Sequence, residues 1–298
     1  MKEVNEEYKR WLETLGFSAK TVKIFSGYIN EMLLWLEDHE IQEIQSITEK
    51  KITTYFFHWQ KRKNKTSGAG LGQGYINTGV TAINNFIKFL RVTGRHNLAL
   101  KLSGEKAHPK LPQVLTQEEM QALYKASHNN NRRVNTEAYG QRDRAMLAVY
   151  YGCGLRRTEG LNLLVSDVLQ DKKMLFVRKG KGNKERFVPL TDKGLQDINE
   201  YLNYGRKWFL EERQKKSNPQ TDIFFISAFG WPMQDFTSRI RQLKAEAGIN
   251  KSGNLHVFRH SIATHLLQRG MDIEQIKKFL GHSSLESTQI YTHIINEF

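Results

Sequence analysis

Residues 254–294, NLHVFRHSIATHLLQRGMDIEQIKKFLGHSSLESTQIYTHI, carry three helix starts separated by two stop signals. That density of starts and stops gathers three short helices around one place. On the first helix His256, Arg259 and His260 fall within one arc of about 100°, and Ala263 and Leu267 carry that arc into apolar territory. Phe258, Ile262 and Leu266 run beside it at i, i+4, i+8, so this helix is broadly buried with a basic head. Buried cations require partners. Arg269-Gly270 reads as its end, and Asp272 is placed to cap a second helix whose Ile273, Ile276, Phe279 and Leu280 keep the helical period until Gly281. His282 falls in the turn beyond. Ser284 is placed to cap a third helix, which carries Ile290 and Tyr291.

Two histidines, an arginine and a tyrosine, with no acidic residue in the pattern, suit a substrate that already carries negative charge. Phosphate is the natural candidate, because arginine matches it with a planar fork of donors. His260 reads as a core histidine bonded to backbone, and His265 and His293 have structural readings only. The i,i+4 spacing of His256 and His260 is also that of a metal site. A metal-dependent nuclease would want carboxylates beside them, and the pattern supplies none.

The net charge of +14 over 298 residues favours a polyanionic partner, for which nucleic acid is the commonest. The charge is shared: residues 1–110 hold 17 basic against 11 acidic side chains, and the remainder 28 against 20. Cys153 is the single cysteine, so no intrachain disulfide forms and a cytoplasmic setting is expected. No apolar run approaches the roughly 18 residues of a membrane span, and MKEVNEEYKR lacks a signal-peptide core. The expectation is a soluble protein with no membrane partner.

Length alone predicts two domains. Residues 1–101 read as a bundle of four or so helices, with Ser18 and Thr48 as caps and Val22, Phe25, Ile29 and Leu36 at helical spacing. Lys61, Arg62, Lys63 and Lys65 then meet the glycine-rich TSGAGLGQG, which lacks the strand that a phosphate-binding loop needs. It reads as a basic interhelical loop, either a solvated turn or a set of DNA-backbone contacts. LSGEKAHPKLPQ, 102–113, has the prolines and alternating charge of a linker. Residues 114–298 form the second domain, entered through a capping box at Thr116 and Glu119. RAMLAVYY ends a helix at Gly152-Cys-Gly154, and 155–164 begins the next. KMLFVR and RFVPL are strands of a hairpin whose tip carries Lys179, Lys181 and Lys184. A long helix through Trp208, a short strand at 223–226 and a helix over 236–247 follow. The fold class is mostly α with a small antiparallel β-sheet.

The pattern His256-x-x-Arg259-His260, Gly281-His282-Ser283 and Tyr291 resembles the carboxy-terminal signature of the tyrosine recombinase (phage integrase) family. The ending Ser284-x-x-x-Thr288-Gln289-x-Tyr291-Thr292-His293 most resembles its Xer-type members. Arg156, in Gly-Cys-Gly-Leu-Arg-Arg-Thr-Glu-Gly, resembles the family's first catalytic arginine, with Glu159 at the acidic position three residues on. Arg157 is the alternative, and Arg156 with Glu159 could also be an ordinary surface pair. Lys181 resembles the family's hairpin lysine, with Lys184 as the fallback.

The resemblance implies a helical core-binding domain followed by a catalytic domain that cleaves and rejoins DNA through a 3′-phosphotyrosyl link. In it Tyr291 is the nucleophile, Arg156 and Arg259 clamp the phosphate, and His256 assists proton transfer. Lys181 protonates the leaving 5′-oxygen, His282 hydrogen-bonds the phosphate and Glu159 positions its neighbours. Lys61, Arg62, Lys63, Lys65, Lys179 and Lys184 are the expected DNA contacts. No metal or other cofactor is implied. The partners implied are double-stranded DNA at specific paired sites and a tetramer of the chain itself on that DNA. Integration, inversion and dimer resolution all remain open as the biological role. A noncatalytic DNA-binding protein would share the charge but would not need Tyr291. A type IB topoisomerase would share the chemistry, and the Xer-like ending argues for recombination instead.

Overall fold

The computed structural model describes residues 1–64, 68–105, 112–128, 136–178, 185–214 and 221–282. The chain divides into two compact units, Met1–Pro109 and Lys110–Phe298.

The first unit carries α1 (Lys2–Thr14), α2 (Ala19–Asp38), α3 (Glu49–Gln60) and α4 (Gln73–Val92) among its described residues. Ser18 and Thr48 cap α2 and α3 as their sequence context predicts, accepting from the backbone N–H groups of Thr21 at 3.2 Å and Lys51 at 3.3 Å. Each such cap contributes about 1 kcal/mol. Helices of this length are marginal alone, so their stability comes from the shared core of Tyr8, Leu12, Ile29, Leu36, Ile52, Trp59, Phe86 and Leu90. Gly79 sits where α4 meets α3, and a Cβ there would overlap the Trp59 indole. Beyond α4 the chain is fastened to it. The Asn84 side chain pairs with both backbone groups of Leu102 at 2.9 Å, and Asn77 donates to the Glu105 carbonyl at 2.9 Å.

The second unit opens on Gln113, Val114 and Leu115, which are tied to its far end. Ser252 donates to the Gln113 side chain at 2.9 Å, Lys251 to the Val114 carbonyl at 3.0 Å, and the Leu115 N–H donates to Ser261 Oγ at 2.8 Å. The box at Thr116 and Glu119 is reciprocal, at 3.2 and 2.7 Å, and starts α5 (Gln117–His128). α6 (Thr136–Leu147) runs into one π-helical turn, Ala148–Gly152. The helix expected over 155–164 is only α7, Arg157–Leu161. Gly154 takes a left-handed φ of +59° and Arg156 is extended, so the helix starts after them. β1 (Val168–Leu169), β2 (Met174–Val177) and β3 (Arg186–Pro189) form an antiparallel sheet in that order, with Leu175 opposite Val188 and Val177 opposite Arg186.

The long helix through Trp208 is α8 (Asp192–Glu200), a second π-helical turn over Tyr201–Gly205, and α9 (Arg206–Gln214). The strand expected at 223–226 is not one. Phe224, Phe225 and Ile226 are fully buried, and the segment makes isolated bridges between Leu164 and Ile223 and between Ile226 and Pro232. α10 (Thr237–Glu246), α11 (Leu255–Gln268) and α12 (Ile273–Leu280) complete the described chain. Tyr150, Tyr201, Phe209, Phe225, Phe236 and Phe258 are fully buried in the core of this unit.

Candidate active site

The site forms around the last turn of α12. Asp272 caps its start, accepting from the Glu274 N–H at 2.8 Å. Gly281 ends it with φ +65°, a conformation that costs a residue with a Cβ, and the His282 N–H returns to the Lys277 carbonyl at 3.0 Å. A helix C-terminus exposes carbonyls and partial negative charge, which favours cations. Three arginines from three other elements occupy it. Arg186 Nε of β3 donates to the Phe279 carbonyl at 3.2 Å, Arg259 Nη2 of α11 to Leu280 at 2.7 Å, and Arg156 Nη2 before α7 to Gly281 at 2.7 Å.

Each arginine is held at a second point. Arg259, 3% exposed, donates through Nη1 to the Gly154 carbonyl at 2.5 Å. Gly154 permits this by its left-handed φ and its lack of a side chain, since a Cβ there would lie 2.8 Å from Leu280 Cδ2. Arg156 Nη1 donates to Glu159 Oε1 at 2.7 Å, and the Arg156 backbone N–H donates to Oε2 at 2.9 Å. Arg186 reaches both Glu159 oxygens, at 3.2 and 2.9 Å. Burial alone would raise the Glu159 pKa; hydrogen bonds and charge from Arg186 and Arg156 outweigh it and hold the carboxyl at about 2.

The histidines answer to the same charges. Burial, then the charge of Arg259 and Arg156, pushes His282 down to about 3. Burial with His256 and Arg259 beside it pushes His260 down to about 4. His256, exposed on the first turn of α11, is lowered by partial desolvation and by Arg259, Arg156 and Arg157. His260 and His282 are therefore neutral at pH 7, and the same charges favour the neutral form of His256.

Of the residues singled out from sequence, Arg156, Glu159, Arg259 and His282 come together at the α12 turn, with His256 in electrostatic reach. Arg157 points elsewhere, to Asp235 at 3.4 Å and the Gln234 carbonyl at 2.9 Å. Lys61 and Lys63 are exposed. Arg62 is ion-paired with Glu31, donates to the Tyr75 hydroxyl at 3.0 Å and lies over the Trp59 ring. Lys65, Lys179, Lys181, Lys184 and Tyr291 lie outside the described residues, as do Ser284, Ile290 and His293. Sequence reasoning missed Arg186. In RFVPL it shares a strand face with the buried Val188, and an arginine at an inward position of a strand signals a buried partner.

The phage integrase family model matches residues 113–297. The tyrosine recombinase XerD of Halalkalibacterium halodurans is 30% identical over 99% of this chain and 95% of its own. XerC 2 of Ralstonia nicotianae is 30% identical over 94% of this chain and 78% of its own. Among solved structures, XerA recombinase is 26% identical and covers 98% of this chain and 93% of its own, with a TM-score of 0.51. The post-cleavage complex of XerH with its difH substrate covers 92% of this chain and 76% of its own, at 19% identity and a TM-score of 0.69, a likeness of fold. Three guanidinium groups around one buried carboxylate form a site suited to an anion. The chain belongs to the phage integrase family and is a tyrosine recombinase, an enzyme of site-specific DNA recombination that cleaves and rejoins strands. Among the described residues no helix is long and apolar enough to cross a membrane.

Proposed function

We propose that Arg156 and Arg259 hold the scissile phosphate, that Tyr291 attacks it, and that Glu159 and His282 complete its setting. The observation that carries this reading is that two arginines far apart in sequence are fastened to the consecutive carbonyls of Leu280 and Gly281, beside His282. Both are pre-oriented before substrate arrives, which removes reorganisation from the reaction. Three guanidinium groups against the single Glu159 carboxylate leave an excess of positive charge for an anion. A phosphodiester needs that charge at its nonbridging oxygens, an aligned nucleophile and an acid for the leaving alkoxide.

Tyr291 forms the bond to phosphorus as the bond to the 5′-oxygen breaks, leaving a 3′-phosphotyrosyl link and a 5′-hydroxyl. His256, neutral, takes the tyrosyl proton, and Lys181 gives one to the leaving oxygen. His282, also neutral, donates a hydrogen bond to the phosphate. The covalent link keeps the energy of the broken bond, so a 5′-hydroxyl from another strand reverses the step. Lys61, Lys63, Lys65, Lys179 and Lys184 contact the DNA backbone, whereas Arg62 is committed to Glu31 and serves to hold its loop. Domains bounded as 1–101 and 114–298 each contribute contacts to DNA, in the cytoplasm.

Tyr291→Phe tests the nucleophile. On a nicked suicide duplex the parent should yield a covalent band on a denaturing gel, and Tyr291→Phe should bind the duplex and yield none. A band in the variant would give the role to another residue. Exchange between two duplexes requires four sites, so the chain should be a monomer alone and a tetramer on DNA carrying paired sites. Light scattering checks this, and a stable tetramer without DNA would overturn it.

A further inference from the structure

We propose that Arg186 is a positioning residue for the reaction: it shares Glu159 with Arg156 and thereby sets where Arg156 points its guanidinium. The inference rests on the reading of Arg156 and Arg259 as the phosphate clamp.

Arg186 makes three bonds to two elements. Its Nη1 and Nη2 bind the two Glu159 oxygens at 3.2 and 2.9 Å, and its Nε binds the Phe279 carbonyl at 3.2 Å. Its side chain is 11% exposed and that of Glu159 is 2% exposed. It also packs over Gly281, where a Cβ would lie 2.9 Å from Arg186 Nη1. Opposite Val177 at the end of the β2 and β3 ladder, it stands at the root of the hairpin whose connection in sequence, 178–185, contains Lys181.

The consequence lies in how Arg156 divides its donors. One terminal nitrogen goes to Glu159 and the other to the Gly281 carbonyl. A buried carboxylate strongly prefers a bidentate fork, and Arg186 supplies it. Without Arg186, Arg156 is left to compensate the buried Glu159 charge without its second guanidinium, and the favourable response is for Arg156 to swing onto both oxygens. That motion leaves Gly281 and withdraws donors from the phosphate. Arg186 therefore acts on the reaction through Glu159 and Arg156 without touching the reacting atoms.

The test uses the full chain and single-turnover formation of the covalent adduct on a suicide duplex, at saturating DNA, with affinity measured separately. Arg186→Ala should slow adduct formation roughly 100-fold while affinity stays within about twofold, because a displacement near 1 Å costs rate rather than binding. Adding Glu159→Gln, which removes the charge that draws Arg156 away, should return at least about tenfold of that loss. If Arg186→Ala does not fold, Arg186→Lys, which keeps the cation without the fork, takes its place in the same cycle. Equal losses from the Arg186 change in the parent and in the Glu159→Gln variant would assign it a merely structural role and overturn the proposal. So would a rate within about threefold of the parent, provided Arg156→Ala is itself at least about 100-fold down. An Arg156→Ala variant that keeps its rate would instead overturn the clamp reading beneath it.

Discussion

Both units of this chain pair an arginine with a glutamate, and the two arrangements differ in what is left over. In the first, Arg62 pairs with Glu31, donates to Tyr75 and covers Trp59. One cation meets one anion at the surface, and the result is a brace for the loop between α3 and α4. In the second, one carboxylate is shared by Arg156 and Arg186 while Arg259 is held by the carbonyls of Gly154 and Leu280. Carbonyl acceptors orient a guanidinium without cancelling its charge. A basic motif in sequence thus marks either a tie or an anion site, and the acceptors decide which.

The largest expected effect that would break this contrast is on rate. Arg156→Ala should lower the rate of covalent adduct formation by roughly 10²- to 10³-fold, about 3 to 4 kcal/mol of transition-state stabilisation, as loss of a preorganised donor does. The adjacent Arg157→Ala, whose partners are Asp235 and Gln234, should stay within about threefold. If single-turnover assays show the two reversed, the site is built on the wrong arginine.

Acid stability sharpens the comparison next. Glu159 has a folded pKa of about 2, below its ordinary 4.5, so on acidification the unfolded chain takes up the proton first. Its stabilisation, roughly 3 kcal/mol, is fully present above about pH 5 and is lost as pH falls toward 2. Glu159→Gln should accordingly show a shallower fall in unfolding free energy between about pH 5 and 2 by denaturant titration. An unchanged acid limb would mean that the two arginines do not depress this carboxyl.

The smallest effect belongs to the tie. Arg62→Ala should cost about 1 kcal/mol of stability in urea and leave the slope of log affinity against log salt unchanged, since that slope counts phosphate contacts. A slope reduced by about one, as expected for Lys61→Ala or Lys63→Ala, would make Arg62 a DNA contact after all.

Much of the fold was legible because its signals are local. Ser18, Thr48, Thr116 and Asp272 act as caps within three residues of themselves, and Gly281 ends its helix by its own φ. The order of Arg156, Glu159, Arg259 and His282 was legible by resemblance. What stayed hidden depends on distant partners. Arg186 takes its meaning from Glu159 and Phe279, and Arg62 takes its from Glu31. The apolar run 223–226 has the composition of a strand, but its neighbours supply single bridges rather than a ladder. The shortening of the helix after Gly154 follows from a left-handed turn needed to offer a carbonyl to Arg259.

The bond from the Leu115 N–H to Ser261 Oγ has a consequence in time. The first unit closes through contacts among its own residues, such as Tyr8 with Ala82 and Asn77 with Glu105, and is complete once that stretch has been made. The second cannot seat its opening segment until Ser261 exists, nor can Arg156 and Arg259 find their acceptors until Leu280 and Gly281 do. At about 5 to 20 residues per second of synthesis, that leaves a gap of roughly 10 to 30 s on the ribosome. A nascent chain of this enzyme therefore owns a folded amino-terminal bundle well before it owns a cutting site.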